Sequence, residues 1–359
     1  ACAAAAASRG LHVVVIDRKA EPGAGCHTTG ILVKEAADEW DVPRALTRKI
    51  PGVRLYTPGD AVIDLHSPGY YFLATETPTL MRWFAMHAAS RGARLQYGKS
   101  FDGAYRDGHR IVIESAGLAS RYLIGADGPR STVAGALGLG RNRRLLTGVE
   151  WEFEGVGHVD ANHLHVLLDS EIAPGYIGWA VPGTSTLQVG LAANHRATPN
   201  IEAVIERFSS RFDFQNATIV SRRGGLIPTG GPVRPFHRNN VMLIGDAAGW
   251  VSPLTAGGIH TALHYGRLAG VALADHLLDG GCDPATAMHR LRPRFAAKRL
   301  LRHAADLPIS NRLLDLATRT PLARAMLQTI FFHHRGLWSP RAWTDMARTL
   351  LGHPRPAHH

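Results

Sequence analysis

The residues best equipped for chemistry in this 359-residue chain are carboxylates and glycines at the ends of short apolar runs. Residues 241–244 read as a buried strand ending in Gly245-Asp246. A loop containing Pro253 follows, and Gly257-Gly258-Ile259 opens a helical stretch to about residue 278. A carboxylate at the carboxyl end of a strand can accept hydrogen bonds from a polyol. Glycines at a helix start let backbone N–H groups and the positive dipole end approach an anion. An ordinary strand-turn-helix with an aspartate cap explains Asp246 and one glycine, but not the whole spacing. A second turn, Gly125-Ala126-Asp127-Gly128-Pro129-Arg130-Ser131, runs from a strand at 121–124 into a helix with Pro129 near its first turn. Alone, it is a common capped turn. A third carboxylate, Asp17, closes a strand at 12–16 and is followed by Arg18.

These turns need a scaffold. The chain opens with an alanine-rich helix stopped at Gly10, and HVVVI then reads as a buried parallel strand. This is the second half of a βαβ unit, and Asp17 sits where such a unit places the carboxylate that takes a ribose hydroxyl. The Gly-rich turn would lie just before Ala1, so the reading expects a first strand and phosphate loop upstream, lost by a misplaced start or a truncation. Segments 53–56, 61–65 and 70–74 are β-like, and a helix follows at 78–90. Residues 94–97 and 110–114 alternate as antiparallel strands would, and residues 145–225 are mostly strands interrupted by a helix at 201–212. The expected fold class is α/β. A Rossmann-like dinucleotide domain (1–50, 78–144 and 236–284) interleaves with an antiparallel β-sheet substrate domain (51–77 and 145–235), and a basic helical region (285–359) ends the chain.

Composition supports a globular chain of about two domains. Hydrophobic residues make up 45% and charged residues 19%, with no run near the roughly 18 apolar residues of a spanning helix. Cys2, Cys26 and Cys282 form no CxxC pair, which argues against a disulfide framework or structural zinc and makes a reducing, cytoplasmic compartment the expectation. Of the net charge of +11, +10 resides in the tail: residues 285–359 hold thirteen Lys/Arg against three Asp. Apolar side chains at helical spacing (Leu313, Leu314, Leu316, Ala317; Leu322, Ala325, Met326, Thr329, Ile330) and the aromatics Phe331, Phe332, Trp338 and Trp343 accompany it. Such a tail suits either peripheral contact with an anionic membrane or packing of its apolar side on the main body. No nucleic-acid reading motif is present. The adjacent pairs His333-His334 and His358-His359 lack the spacing of a metal site, and none is expected.

A flavin offers what the turns could bind: a hydroxylated ribityl chain, and a ring that becomes negative near N1 on reduction. Asp17 after a βα unit, GADGPRS and GDAAGWVSPLTAGGIHTAL together resemble the flavoprotein group with the p-hydroxybenzoate hydroxylase fold. Within it the last stretch is most similar to geranylgeranyl reductases, and the resemblance as a whole covers roughly residues 1–290. The resemblance implies FAD, with Asp17 and Arg18 at the adenosine ribose and Asp246 on the ribityl chain. Gly245, Pro253, Gly257 and the Gly258 and Ile259 amides would lie at the flavin end, and Asp127 and Gly128 along the cleft. It also sets GAGCHTTG against the flavin, with Cys26 or His27 near the substrate; the alternative is a Gly-rich connector holding a buried Cys. His260 is a candidate proton donor or a packed residue. Thr77 stands where many relatives place an arginine. The reductases' Tyr-x-Trp-x-Phe-Pro strand reads here Ile177-Gly178-Trp179-Ala180-Val181-Pro182, so Trp179 can line a substrate cavity while Tyr176 is shifted off its face.

The activity so implied is FAD-dependent reduction of C=C bonds in an isoprenoid or related lipid; because no second nicotinamide fingerprint is present, either NAD(P)H binds transiently at the cleft or another reductant replaces it. The alternatives are a flavin-dependent monooxygenase on the same fold and, in a different class, a flavin-free lipid-binding protein.

Overall fold

A computed structural model describes residues 1–332 and Thr344. The chain divides into two compact units, and its path passes repeatedly from one to the other. The first takes residues 1–26, 77–145 and 227–295; the second takes 27–76, 146–226 and the chain from 296 onward. These boundaries correct the expected ones in two places. Residues 27–50 belong to the second unit, because Ile31–Val33 and Thr47–Ile50 both pair with Phe72–Thr75. The described part of the basic tail is no separate region. Its first part, the helix Pro284–Leu291, contacts the helix Ile259–Asp279, and the helices from Ala296 onward build into the second unit.

In the first unit the alanine run forms the helix Cys2–Ser8, and the chain turns at Gly10 with φ +96°. It lies along Ile259–Asp279 at close range. A Cβ on Gly270 would fall 2.4 Å from the Cys2 carbonyl and 2.8 Å from Ala5 Cβ, so glycine is what permits the approach. The strand Val14–Asp17 pairs with Arg94–Tyr97 in parallel register. This corrects the antiparallel reading of 94–97: the helix Thr77–Ser90 precedes that strand, and four residues carry too little pattern to name a partner. Leu123–Gly125 and Val241–Leu243, the strands that feed the two carboxylate turns, pair parallel to each other. They are anchored by a core that includes Met242, Leu243, Trp250, Ala269 and Met288. Carboxyl ends of neighbouring parallel strands are where α/β sheets hold ligands.

The second unit is built on seven strands in the order Thr218–Pro228, Leu145–Glu154, Leu187–Asn194, Gly178–Pro182, His163–Leu167, Gly52–Tyr56 and Val62–His66. One face buries Phe153, Leu191 and Val189 against Val204 and Phe208 of the helix Ile201–Ser209. Val53, Leu55, Val166 and Val181 join Ile50 and Phe72 of the small sheet in a further core, with Phe332 closing it. Phe332 is therefore packed inside, 5.5 Å from the Tyr70 ring centroid and 5.7 Å from that of Phe72. Of the other aromatics read as a tail cluster, Trp338 and Trp343 lie outside the described residues, as do the two adjacent histidine pairs. No described helix is long and apolar enough to cross a membrane.

Candidate functional site

The strand Val241–Leu243 delivers the chain into a single 3-10 turn, Gly245–Ala248, bounded by two left-handed glycines, Gly245 (φ +57°) and Gly249 (φ +67°). Gly249 can have no side chain, since a Cβ there would meet the Gly231 carbonyl oxygen at 2.3 Å. The turn aims Asp246 at the start of the long helix. Its Oδ1 lies 3.2 Å from where a Cβ on Gly258 would stand, and Gly258 caps Ile259–Asp279 with no side-chain hydrogen bond of its own. A carboxylate and the amide end of a 21-residue helix thus border one small space, kept open by the missing side chain. Burial pushes the Asp246 carboxyl up to about 6. Pro253 is buried in the loop between, and Gly257 is exposed.

The second turn is fastened to the first by a residue that the sequence reading passed over. Asn142 Nδ2 donates to the carbonyls of Pro129 (3.0 Å) and Asp246 (2.8 Å), joining GADGPRS to GDAAG. Beside this tie opens a cleft of about 530 Å³, lined in part by Arg130, Ser131, Arg141 and Asn142. Asp127 spends both carboxylate oxygens locally, accepting from Ser131 Oγ (2.6 Å) and the Val133 amide (3.0 Å) to cap Thr132–Ala136. Its work in the fold is capping, and Gly128 beside it takes φ +85°. Asp17 ends its strand with Oδ1 accepting the Lys19 amide at 2.9 Å, and Arg18 beside it is exposed.

The chain matches the family described as FAD binding domain over residues 7–298. It is 31% identical, over 77% of its length and 74% of the other's, to digeranylgeranylglycerophospholipid reductase 1 of Methanothermobacter thermautotrophicus. The chain belongs to the FAD-binding family, in its geranylgeranyl reductase-like group. A second reductase of that name, from Methanocaldococcus jannaschii, is 28% identical over 64% of this chain, which spans 61% of that protein. Among solved structures, a geranylgeranyl bacteriochlorophyll reductase-like protein of Thermoplasma acidophilum superposes with a TM-score of 0.78 at 20% identity. That match covers 97% of this chain and 95% of the other, and it shows a common fold.

The residues of this FAD-binding chain fit a flavin. Asp246 is a hydrogen-bond acceptor for a polyol, and the space at Gly258 is one that a Cβ would fill. His260 and His264 lie one turn apart on the long helix with ring centroids 5.8 Å apart, an i, i+4 spacing that the adjacent histidine pairs of the tail lack. Cys26 is a partly buried thiol at the close of the first unit's opening segment, and His27, exposed, begins the second unit. In the second unit Trp179 sits on Gly178–Pro182 and donates its indole N–H to Glu150 Oε2 at 2.9 Å. Tyr176 falls before that strand begins, beside Arg302, so strand parity does not govern it.

Proposed function

We propose that this chain is an FAD-dependent reductase that saturates carbon–carbon double bonds of an isoprenoid or related lipid. The observation that carries the reading is the juxtaposition of Asp246 with the Gly258 helix start, tied by Asn142 to the GADGPRS turn. Its reductase character draws on the names of the relatives. When bound, reduced flavin supplies the hydride for such a reaction.

The chain's own residues have defined work in this scheme. Asp246 would accept hydroxyl hydrogen bonds from the ribityl chain of a bound flavin, and the Gly258 and Ile259 amides would offer partial positive charge to a reduced, anionic ring. Asp17 has one oxygen on the Lys19 amide and offers the other to a ribose hydroxyl. Asn142 keeps the two turns in register. Trp179 lines the hydrophobic substrate's path, and Cys26, His27 and His260 are assigned to the reacting end. NAD(P)H is the transient reductant. The tail helices are assigned to an anionic lipid surface, because Leu313 and Leu316 are 60% and 64% exposed on a segment where Lys and Arg far outnumber acids.

The test is to load the protein with FAD, record its visible spectrum, reduce it with dithionite under nitrogen and add digeranylgeranylglycerophospholipid. Reoxidation of the flavin matched by saturated product is the expected result. Oxygen consumption matched by a hydroxylated product would assign the chain to the monooxygenases instead. A colourless protein that binds prenyl lipid would make it a flavin-free carrier.

A further inference from the structure

Saturating a double bond by hydride transfer requires one proton for each hydride. The second unit holds a buried acid arranged to keep one. Glu150 and Glu152 lie two apart on Leu145–Glu154 and so share a face of the strand, opposite the face on which Val149, Trp151 and Phe153 join the helix-side core. Both carboxylates are buried, and among the described residues Arg223 of the neighbouring strand Thr218–Pro228 is the cation that reaches the two.

The cation is not shared equally. Arg223 Nη2 closes directly on Glu152 Oε2, and Glu152 also receives the Thr186 hydroxyl at 2.8 Å. Glu150 Oε1 stands 3.6 Å from Arg223 Nη1, outside hydrogen-bond reach, and its other oxygen takes the neutral indole of Trp179. Two carboxylates with one guanidinium between them carry one negative charge too many for a buried site, and the proton that removes it belongs on the acid with the weaker support. Burial raises Glu150 above the usual carboxylate range, with Trp179, Thr29, Arg223 and Glu152 facing it.

The loop carrying Thr29 is held in place over this acid. Arg223 Nη1 donates to the Thr28 carbonyl at 3.3 Å. Gly225, two residues along, is crowded by the same loop: a Cβ there would stand 3.1 Å from both His27 Cβ and the His27 carbonyl oxygen. The Thr29 hydroxyl faces the Glu150 carboxyl from this loop. A hydroxyl that both donates and accepts can pass a proton on without storing it.

We propose that Glu150 is the buried proton supply for the reduction: it holds a neutral carboxylic acid between Trp179 and Thr29 and releases its proton through the Thr29 hydroxyl toward the substrate. The proposal rests on the reductase reading. In each turnover the substrate gains a hydride on one carbon and a proton on the other. Glu150 becomes a carboxylate, its new charge met by Arg223 at 3.6 Å, and takes a proton back from water afterwards. Glu150 is on this account a positioning residue for a proton delivered by Thr29.

Infrared spectroscopy of the full chain near neutral pH tests the resting state directly. The carbonyl stretch of a protonated carboxyl group should disappear in Glu150→Gln, and Glu152→Gln, which leaves Arg223 to Glu150 alone, should weaken it as well. A band untouched by Glu150→Gln overturns the assignment, whatever the enzyme does. In anaerobic single turnover with dithionite-reduced flavin and digeranylgeranylglycerophospholipid, Glu150→Gln should slow saturation about a hundredfold at unchanged flavin content. Thr29→Val should slow it similarly while keeping the infrared band, and Thr29→Ser should restore the rate. Turnover by Glu150→Gln within about twofold of wild type, with the band lost, also overturns the proposal. A wild-type protein inert toward every prenyl lipid would sink the reductase reading alone, and Glu150 would then stand or fall by the band.

Discussion

Asp246 is costly to keep ionised in the folded protein, because burial lifts its carboxyl to about 6. The raised value fixes the sign of its pH dependence. Before flavin is bound, its contribution to stability is fully present below the ordinary carboxylate range and is lost as pH rises through about 6, at most about 3 kcal/mol in all. Urea unfolding of flavin-free protein should show this loss between pH 4 and pH 7 as about that amount, and Asp246→Asn should abolish it. The same substitution should weaken FAD binding about tenfold to a hundredfold, measured by fluorescence titration, because a charged acceptor is replaced by a neutral one. Asp246 and Gly258 were legible in the sequence because a strand end, a loop and a glycine-opened helix fix their neighbourhood locally. Asn142 and Glu150 were not. The first matters because two turns distant in sequence meet at its side chain, the second because a strand face is polar where its reverse is core, and both facts arise only on folding.

At the scale of elements, the helix Ile259–Asp279 keeps glycines at 266 and 270, in its interior, where alanine would stabilise an isolated helix by about 1 kcal/mol each. Their return is the approach of Cys2–Ser8. Gly270→Val should therefore cost about 3 kcal/mol by thermal or urea unfolding, since the added atoms would overlap the Cys2 carbonyl and Ala5 and backbone cannot yield as a flexible side chain does. Most elements were readable from periodicity and breakers: the helix Thr77–Ser90 begins within one residue of its predicted start and ends on the predicted residue. Pairing was less so. Arg94–Tyr97 shows alternation, but whether its partner runs parallel depends on the connection between strands, which four residues do not encode.

For the molecule as a whole, the described tail helices from Ala296 onward are part of the second unit and are held there by buried polar contacts. Arg302, 2% exposed, reaches the Gly175 carbonyl and Asp306, while Asn311 accepts from the Ser170 amide and hydroxyl at 2.8 Å. Arg302→Met should cost about 2–3 kcal/mol and loosen the helices from Ala296 onward, readable as faster amide exchange there. Composition marked this region as basic and amphipathic but could not say which apolar residues turn inward. Ala325, Thr329 and Phe332 do, whereas Leu313 and Leu316 do not. Replacing those two by serine should weaken binding to phosphatidylglycerol vesicles about tenfold in a sedimentation assay, without loss of folded protein. Phosphatidylcholine vesicles should bind weakly to both forms.

The alternation of chain segments between units has a practical outcome for anyone cutting the protein. The backbone crosses at 26/27, 76/77, 145/146, 226/227 and 295/296, so any contiguous fragment that holds one unit whole also carries pieces of the other. A protease that nicks one exposed connection should produce two bands on a denaturing gel, yet the pieces should still travel together through a sizing column until denaturant is added.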